Sequence, residues 1–315
     1  MPRKVIVDCD MGTDDAVALA MMLFDSRLEI IAVTATEGCV TAEQANNNLQ
    51  AIVNELDPDR YPRLGMARVT DCAPPVNTSF LYGEDGLGNS GFEVSQLQHL
   101  HASDKLIVDC VRAFPDEITV VCLGPLTNLA RAFQRDPALP TMIDRVVMTG
   151  GTLSGIGNVT PAAEFNFYFD PFSAKQVIHS RTTKTLIPLD VTHAVEFGIE
   201  MMESLPNEKT RTGYFLRQIL PFAFRSYRQQ LGVEGIFLND AVGALAVIEP
   251  QLFVFEEMGG EVETEGELTR GASIFDRRQP PEWRPNMEVA TSINIDSARQ
   301  YLIDQLTVSG NLSGN

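Results

Sequence analysis

The chain has 315 residues, 44% of them hydrophobic, and carries 24 Lys and Arg against 42 Asp and Glu, a formal net charge of −18. That is ample for a sizeable core, and no Pro/Ser/Gly-rich linker, low-complexity tract or internal repeat divides it, so one domain over 1–315 is expected. The negative field repels a phosphate backbone and disfavours nucleic-acid binding, and the lack of any run of 18 apolar residues disfavours a membrane span.

Cys9, Cys39, Cys72, Cys110 and Cys122 are odd in number and show no CxxC spacing. They read as reduced thiols, which points to a cytoplasmic protein. The start, Met1 to Val5, lacks the apolar segment of a signal peptide.

In chain order, Val5-Ile6-Val7 is a short apolar run, and Ala16 to Phe24 is an Ala-rich one. Between them lie Asp8, Asp10, Gly12, Asp14 and Asp15. The pattern predicts a buried strand, a Gly turn and a helix, with the acids at the strand's C-terminal edge. That edge is the usual ligand crevice of an open α/β sheet, and Asp14 and Asp15 fall in the helix's first turn, where its dipole favours negative charge. Carboxylates this dense repel one another unless something positive joins them, and a hard divalent cation is the simplest answer. A plainer alternative is a capping cluster, one acid at the N-cap and the rest solvated.

Leu28 to Thr36 is a second strand, and Glu37-Gly38-Cys39 turns out of it. Thr41-Ala42-Glu43-Gln44 reads as a capping box opening a helix to about Glu55. Strand, helix, strand, helix is the signature of a parallel sheet. Residues 70–95, with Pro74, Pro75 and four glycines from Gly83 to Gly91, read as loop. A helix follows over Asp104 to Phe114 and a strand over Ile118 to Leu123, and Gly124 to Leu129 turns into another helix. Arg145 to Met148 and Lys184 to Pro188 are strands. Between them, 155–170 is a polar loop. Asn207 to Gln230 forms one or two helices. Asn239-Asp240 precedes the helix Ala241 to Ile248, antiparallel strands cover Leu252 to Phe255 and Val289 to Ile295, and a last helix starts at Ser297. The expected fold is an open, mostly parallel, Rossmann-like α/β sheet flanked by helices, with a small antiparallel C-terminal part.

Asp8-Cys9-Asp10-Met11-Gly12-Thr13-Asp14-Asp15-Ala16 resembles the N-terminal motif of the inosine–uridine-preferring nucleoside hydrolases. The resemblance continues in order through Gly124-Pro125-Leu126-Thr127-Asn128, Met148-Thr149-Gly150-Gly151, Gly157-Asn158, Ala163-Glu164-Phe165-Asn166, Asp170-Pro171, Leu189 to His193 and Asn239-Asp240. Haloacid dehalogenase-type phosphatases share an Asp-x-Asp loop after the first strand, but the Lys they would need downstream is not evident. The resemblance implies hydrolysis of a ribonucleoside to ribose and free base, a tightly held Ca²⁺, and a homodimer or homotetramer. It implies Asp10, Asp15, the Leu123 carbonyl and Asp240 as metal ligands. Asp10 would also be the base that takes a proton from the metal-held water. Asp14 and Asn166, with Asp240, would hold the 2′- and 3′-hydroxyls, Asn158 and Glu164 the 5′-hydroxyl, and Met148 would lie beside the sugar.

Three positions depart from the best-known members. Cys39 stands where those carry Asn beside the ribose, Tyr82 where many carry His, and Asn239 where the base-nonspecific branch carries the His that protonates the leaving base. Asn is not a general acid at neutral pH. The purine-specific branch places Trp there, and the one Trp here is the distant Trp283. Tyr227, with Tyr82 or Asn239, is expected to contact the base, so Asp10, Asn166, Tyr227 and Asn239 are the expected catalytic set. Cys39 and Tyr82 join the expected substrate-binding set, and His193 reads as a structural hydrogen-bonder. Two other readings stay open: hydrolysis of another N-riboside, such as nicotinamide riboside, and a Ca²⁺-dependent nucleoside-binding protein without turnover.

Overall fold

The computed structural model describes residues 2–70, 74, 77–94 and 101–314; Cys72 and Pro75 lie outside them. Nine strands form its central sheet: β1 (Arg3–Cys9), β2 (Leu28–Ala35), β3 (Arg63–Met66), β4 (His101–Ala102), β5 (Ile118–Cys122), β6 (Arg145–Thr149), β7 (Lys184–Ile187), β8 (Phe253–Met258) and β9 (Met287–Ile293). Their order across the sheet is β8-β9-β7-β6-β5-β1-β2-β3-β4. All neighbours run parallel except the edge pair β8–β9. The fold is thus the mostly parallel α/β sheet the sequence pattern predicts, with its antiparallel part at one edge. Two short antiparallel ribbons, Gly260–Val262 with Ser273–Phe275 and Glu196–Phe197 with Ile236–Phe237, sit outside it.

Strand alternation sorts side chains between two cores. Val5, Val7 and Cys9 of β1 join Val121, Val147 and Ile187 on the face covered by helices Thr13–Met22, Ala42–Leu56, Arg211–Ser226, Asn239–Ile248 and Ile295–Leu312. Ile6, Val120, Val146, Met148 and Leu186 join the opposite core, under helices Ser103–Ala113, Thr127–Arg135 and Pro171–Ile178. Every residue of helix Thr13–Met22 is buried, because it packs against three of its neighbours as well as the sheet. An Ala-rich helix without a polar face suits that place.

The expected capping box at Thr41 is half formed. Thr41 Oγ1 accepts from Gln44 N at 3.3 Å, but the Gln44 side chain donates to Asn48 instead. β3 and β4 escape the sequence pattern, since Arg-Leu-Gly-Met does not alternate and His-Ala is only two residues. Within 70–95, Ser79–Tyr82 forms one helical turn where loop was expected, and Phe165–Phe169 forms another inside the expected polar loop. Among the described residues, no helix is long and apolar enough to cross a membrane.

Candidate active site

β1 has β2 on one side and β5 on the other, so the connections leaving their C-terminal ends part and open a crevice at a topological switch point. The chain leaves β1 through Met11, whose φ of 65° is left-handed. A non-Gly residue there costs about 1–3 kcal/mol and persists only where its surroundings hold it. Here the Asn48 side chain donates to the Met11 carbonyl at 3.0 Å and to the Asp85 carbonyl at 2.7 Å, clamping the turn under the 83–88 loop.

Asp10, Asp14 and Asp240 line one cavity of about 350 Å³. Asp15 is fully buried behind them. Carboxylate oxygens of Asp14, Asp15 and Asp240 lie within 4.8 Å of one another, and the same holds for Asp10, Asp15 and Cys39 Sγ. Burial and the neighbouring carboxylates push the Asp15 and Asp240 carboxyls well above the usual range; burial and Asp10 bring Asp14 up to about 6. Asp15 Oδ2 accepts from Gly12 N at 2.9 Å, while its buried Oδ1 has no hydrogen-bond partner. A buried carboxylate with an unmet oxygen among like charges is costly, and a hard, oxygen-seeking cation is what this donor set suits.

The wall opposite is built on the ends of β5 and β6. The Leu123 carbonyl accepts from Asn166 Nδ2 at 2.8 Å and from Thr149 Oγ1 at 2.9 Å. Each donor has a second acceptor: Asp240 Oδ1 lies 3.2 Å from the Thr149 hydroxyl, and the Thr149 carbonyl 3.4 Å from Asn166 Nδ2. One can therefore turn aside and free the Leu123 oxygen for another ligand. Glu164 caps the turn Phe165–Phe169, accepting from the backbone N–H groups of Gly151, Asn166 and Phe167 at 2.8–3.2 Å. Burial still raises its carboxyl to about 7. Asn158 Oδ1 accepts from Phe165 N at 2.9 Å, which pins the 155–165 loop beside the cavity it lines.

The remaining lining is largely apolar. Phe80, Leu81, Phe165, Leu231 and Phe237 supply it, with Tyr82, Tyr227, His193 and Asn239 as polar points. Tyr227 starts a wide π-helical turn, Tyr227–Leu231, that ends helix Arg211–Ser226 and turns both terminal side chains to the cavity. The Tyr227 hydroxyl donates to the Phe237 carbonyl at 3.5 Å, and burial pushes the Tyr227 and Tyr82 pKa values up, so both phenols remain protonated. Asn239 Oδ1 is buried without a partner. His193 stacks on Phe237 with ring centroids 4.3 Å apart, and burial lowers its pKa to about 4, leaving a neutral imidazole.

Residues 5–300 match the model of the inosine-uridine preferring nucleoside hydrolase family. The chain belongs to this family. An inosine-uridine preferring nucleoside hydrolase of Leishmania major is 30% identical over 97% of this chain and 98% of its own. A plant nucleoside hydrolase structure superposes with a TM-score of 0.87 at 28% identity, covering 98% of this chain and 99% of that one. A purine-preferring ribonucleoside hydrolase from Gardnerella vaginalis gives 0.88 at 25% identity, covering 98% and 100%.

In this nucleoside hydrolase, as an N-glycosyl hydrolase of that family, Asp10, Asp14, Cys39, Tyr82, Leu123, Asn158, Glu164, Asn166, Tyr227, Asn239 and Asp240 all border one cavity. Met148 does not. It is fully buried in the core on the opposite face of the sheet, because alternation along β6 turns Thr149, not Met148, toward the cavity. Asp8 faces the same way as Met148: its Oδ1 accepts from Thr34 Oγ1 at 2.5 Å and Asn128 Nδ2 at 2.9 Å. Asn128 also donates to the Ala35 carbonyl at 2.8 Å, so this pair braces the strand ends under the site. Sequence reasoning passed over Thr149, Thr78, Phe80, Leu81 and Phe237. Thr149 stood next to Met148 in a recognised motif, and the phase of the strand was the missing signal.

Proposed function

We propose that the chain hydrolyses the N-glycosidic bond of ribonucleosides to ribose and free base, with Ca²⁺ as its cofactor. The observation that carries this reading is the meeting, in one cavity, of acids from the first turn of the chain and from residue 240 with the polar groups of 149–166. Asp10, Asp15, Asp240 and the Leu123 carbonyl would hold Ca²⁺. When bound, it would offset the clustered negative charge and acidify and orient a water.

Asp10, which lines the cavity, takes the proton of the attacking water. Asp14, Asn166 and Asp240 hold the 2′- and 3′-hydroxyls; Asn158 and Glu164 hold the 5′-hydroxyl. Breaking the bond builds positive charge on the ribose, and a cup of carboxylates stabilises that charge more than the neutral ground state. The apolar part of the lining receives the base. Asn239 cannot protonate it, so Tyr227 and Tyr82, both protonated and lining the cavity, are the donors assigned to the departing base.

The deciding experiment is release of ribose from a panel of ribonucleosides, their 2′-deoxy analogues and nicotinamide riboside, with and without a chelator. Ribonucleosides release ribose, the chelator stops it, and deoxy analogues are poorer by roughly 10⁴-fold, since a site built for a hydroxyl rejects its absence. Binding without ribose release overturns the reading in favour of a nucleoside-binding protein.

A further inference from the structure

Cys39 brings sulfur into a site otherwise built of oxygen. Its Sγ lies within 4.8 Å of a carboxylate oxygen of Asp10 and of one of Asp15, which are themselves that close to each other. The residue is held there. Its backbone N–H donates to Asp10 Oδ2 at 2.7 Å, and its Sγ meets the Asp10 carbonyl at 3.4 Å. Asp15, common to both trios, adds an observation separate from these distances: its side chain is fully buried and its Oδ1 has no hydrogen-bond partner. The neighbouring trio, Asp14, Asp15 and Asp240, offers only oxygen. The two trios share Asp15 and differ in softness. Hard cations suit carboxylates and carbonyls, whereas Zn²⁺, Co²⁺ and Cd²⁺ gain from a thiolate.

We propose that Cys39, Asp10 and Asp15 form a second cation position for thiophilic divalent ions, overlapping the oxygen-lined one and shutting down the site when filled. On binding, the Cys39 S–H bond breaks, a sulfur–metal bond forms, and the proton leaves to solvent; no electrons change hands. Asp10 and Asp15 bind as carboxylates and supply two negative charges. Asp10 and Asp15 are then drawn to this ion and lost to the oxygen-lined position that hydrolysis needs filled. Only this inhibitory effect rests on the hydrolase reading; the binding does not.

The test uses the whole chain, stripped of divalent ions by a chelator and dialysed. Added Co²⁺ produces a sulfur-to-cobalt charge-transfer band in the near ultraviolet, and calorimetry in buffers of different ionisation enthalpy registers a released proton. Cys39→Ser loses the band and weakens Co²⁺ binding by more than about tenfold, at least the loss typical of a supporting group around a metal. Cys110→Ser, in the opposite core, keeps both signals. With Ca²⁺ present, Zn²⁺ inhibits ribose release, and Cys39→Ser moves the inhibition midpoint to higher Zn²⁺. A band that survives in Cys39→Ser, or no band in the parent chain, overturns the proposal. A band without ribose release from any nucleoside supports this site and removes the hydrolase reading instead.

Discussion

Gly38 is the position where one added methyl group speaks most directly to the proposed base. It follows β2 and closes against Asp10: a Cβ there would lie 2.1 Å from Asp10 Oδ2 and 2.6 Å from Asp10 Cβ. Ordinary contact begins near 3.4 Å, so the Asp10 oxygen must retreat by about 1.3 Å. It cannot do so freely, because Cys39 N–H holds it at 2.7 Å. In Gly38→Ala, a misplacement of about 1 Å at a reacting group lowers kcat/KM about 10²-fold, or about 2.7 kcal/mol of barrier. Overpacking costs about 1–3 kcal/mol of stability, and for a chain this long that lowers Tm by about 2–5 °C. The assay pairs kcat/KM for ribose release at room temperature with a thermal melt. A drop in Tm that small leaves the variant folded during the assay, so lost activity is not lost protein. Parent-like kcat/KM in Gly38→Ala refutes the assignment of Asp10 and the tight turn around it.

Gly243 lets helix Asn239–Ile248 approach β6, and a Cβ there would lie 2.1 Å from Thr149 Cγ2. Gly243→Ala therefore pushes Asp240 outward and lowers kcat/KM. Adding Thr149→Ser, which removes that methyl and keeps the hydroxyl, restores much of it; no rescue means the helix does not set Asp240 through this contact. For Glu164, burial raises the carboxyl from 4.5 to about 7. The folded state binds the proton more tightly, so this group's stabilisation is full below pH 4.5 and is lost as pH rises through 7, about 3 kcal/mol at most. In chelator, Tm of the parent falls across that window relative to Glu164→Gln, whose side chain does not titrate; parallel profiles count against a buried, titrating Glu164. Tyr227→Phe removes a phenol that lines the cavity beside the Phe237 carbonyl. It lowers kcat about tenfold or more if the phenol assists the leaving base, and an unchanged kcat takes Tyr227 out of that role.

Local pattern was enough to read much of this chain. The apolar run, Gly turn and Ala-rich helix around Asp10 and Asp15 announced the first unit, and β2, β5, β6 and β7 stood out as short apolar runs ending in turns. Such features are written within a few residues, since they depend on backbone preference and on which neighbours in sequence share a face. The last two strands at one end of the sheet were invisible for the same reason: Arg63–Met66 and His101–Ala102 are strands only because β2 and then β3 offer them a partner.

The site's chemistry was legible as residue types, and its assembly was not. No local rule places β5 beside β1 in the sheet, yet that neighbour opens the crevice and brings the Leu123 carbonyl to Asp10. Strand phase shows the limit most plainly. Arg145–Thr149 is buried along most of its length on both faces, so its residues do not reveal which side meets the cavity. The helices on either face settle it, turning Thr149 to the cavity and Met148 to the opposite core. The residues by themselves determined that acids would gather at a strand end and that a parallel sheet would carry them. Only the packing of distant elements decided which acids share a cavity, because burial and contact depend on partners far along the chain.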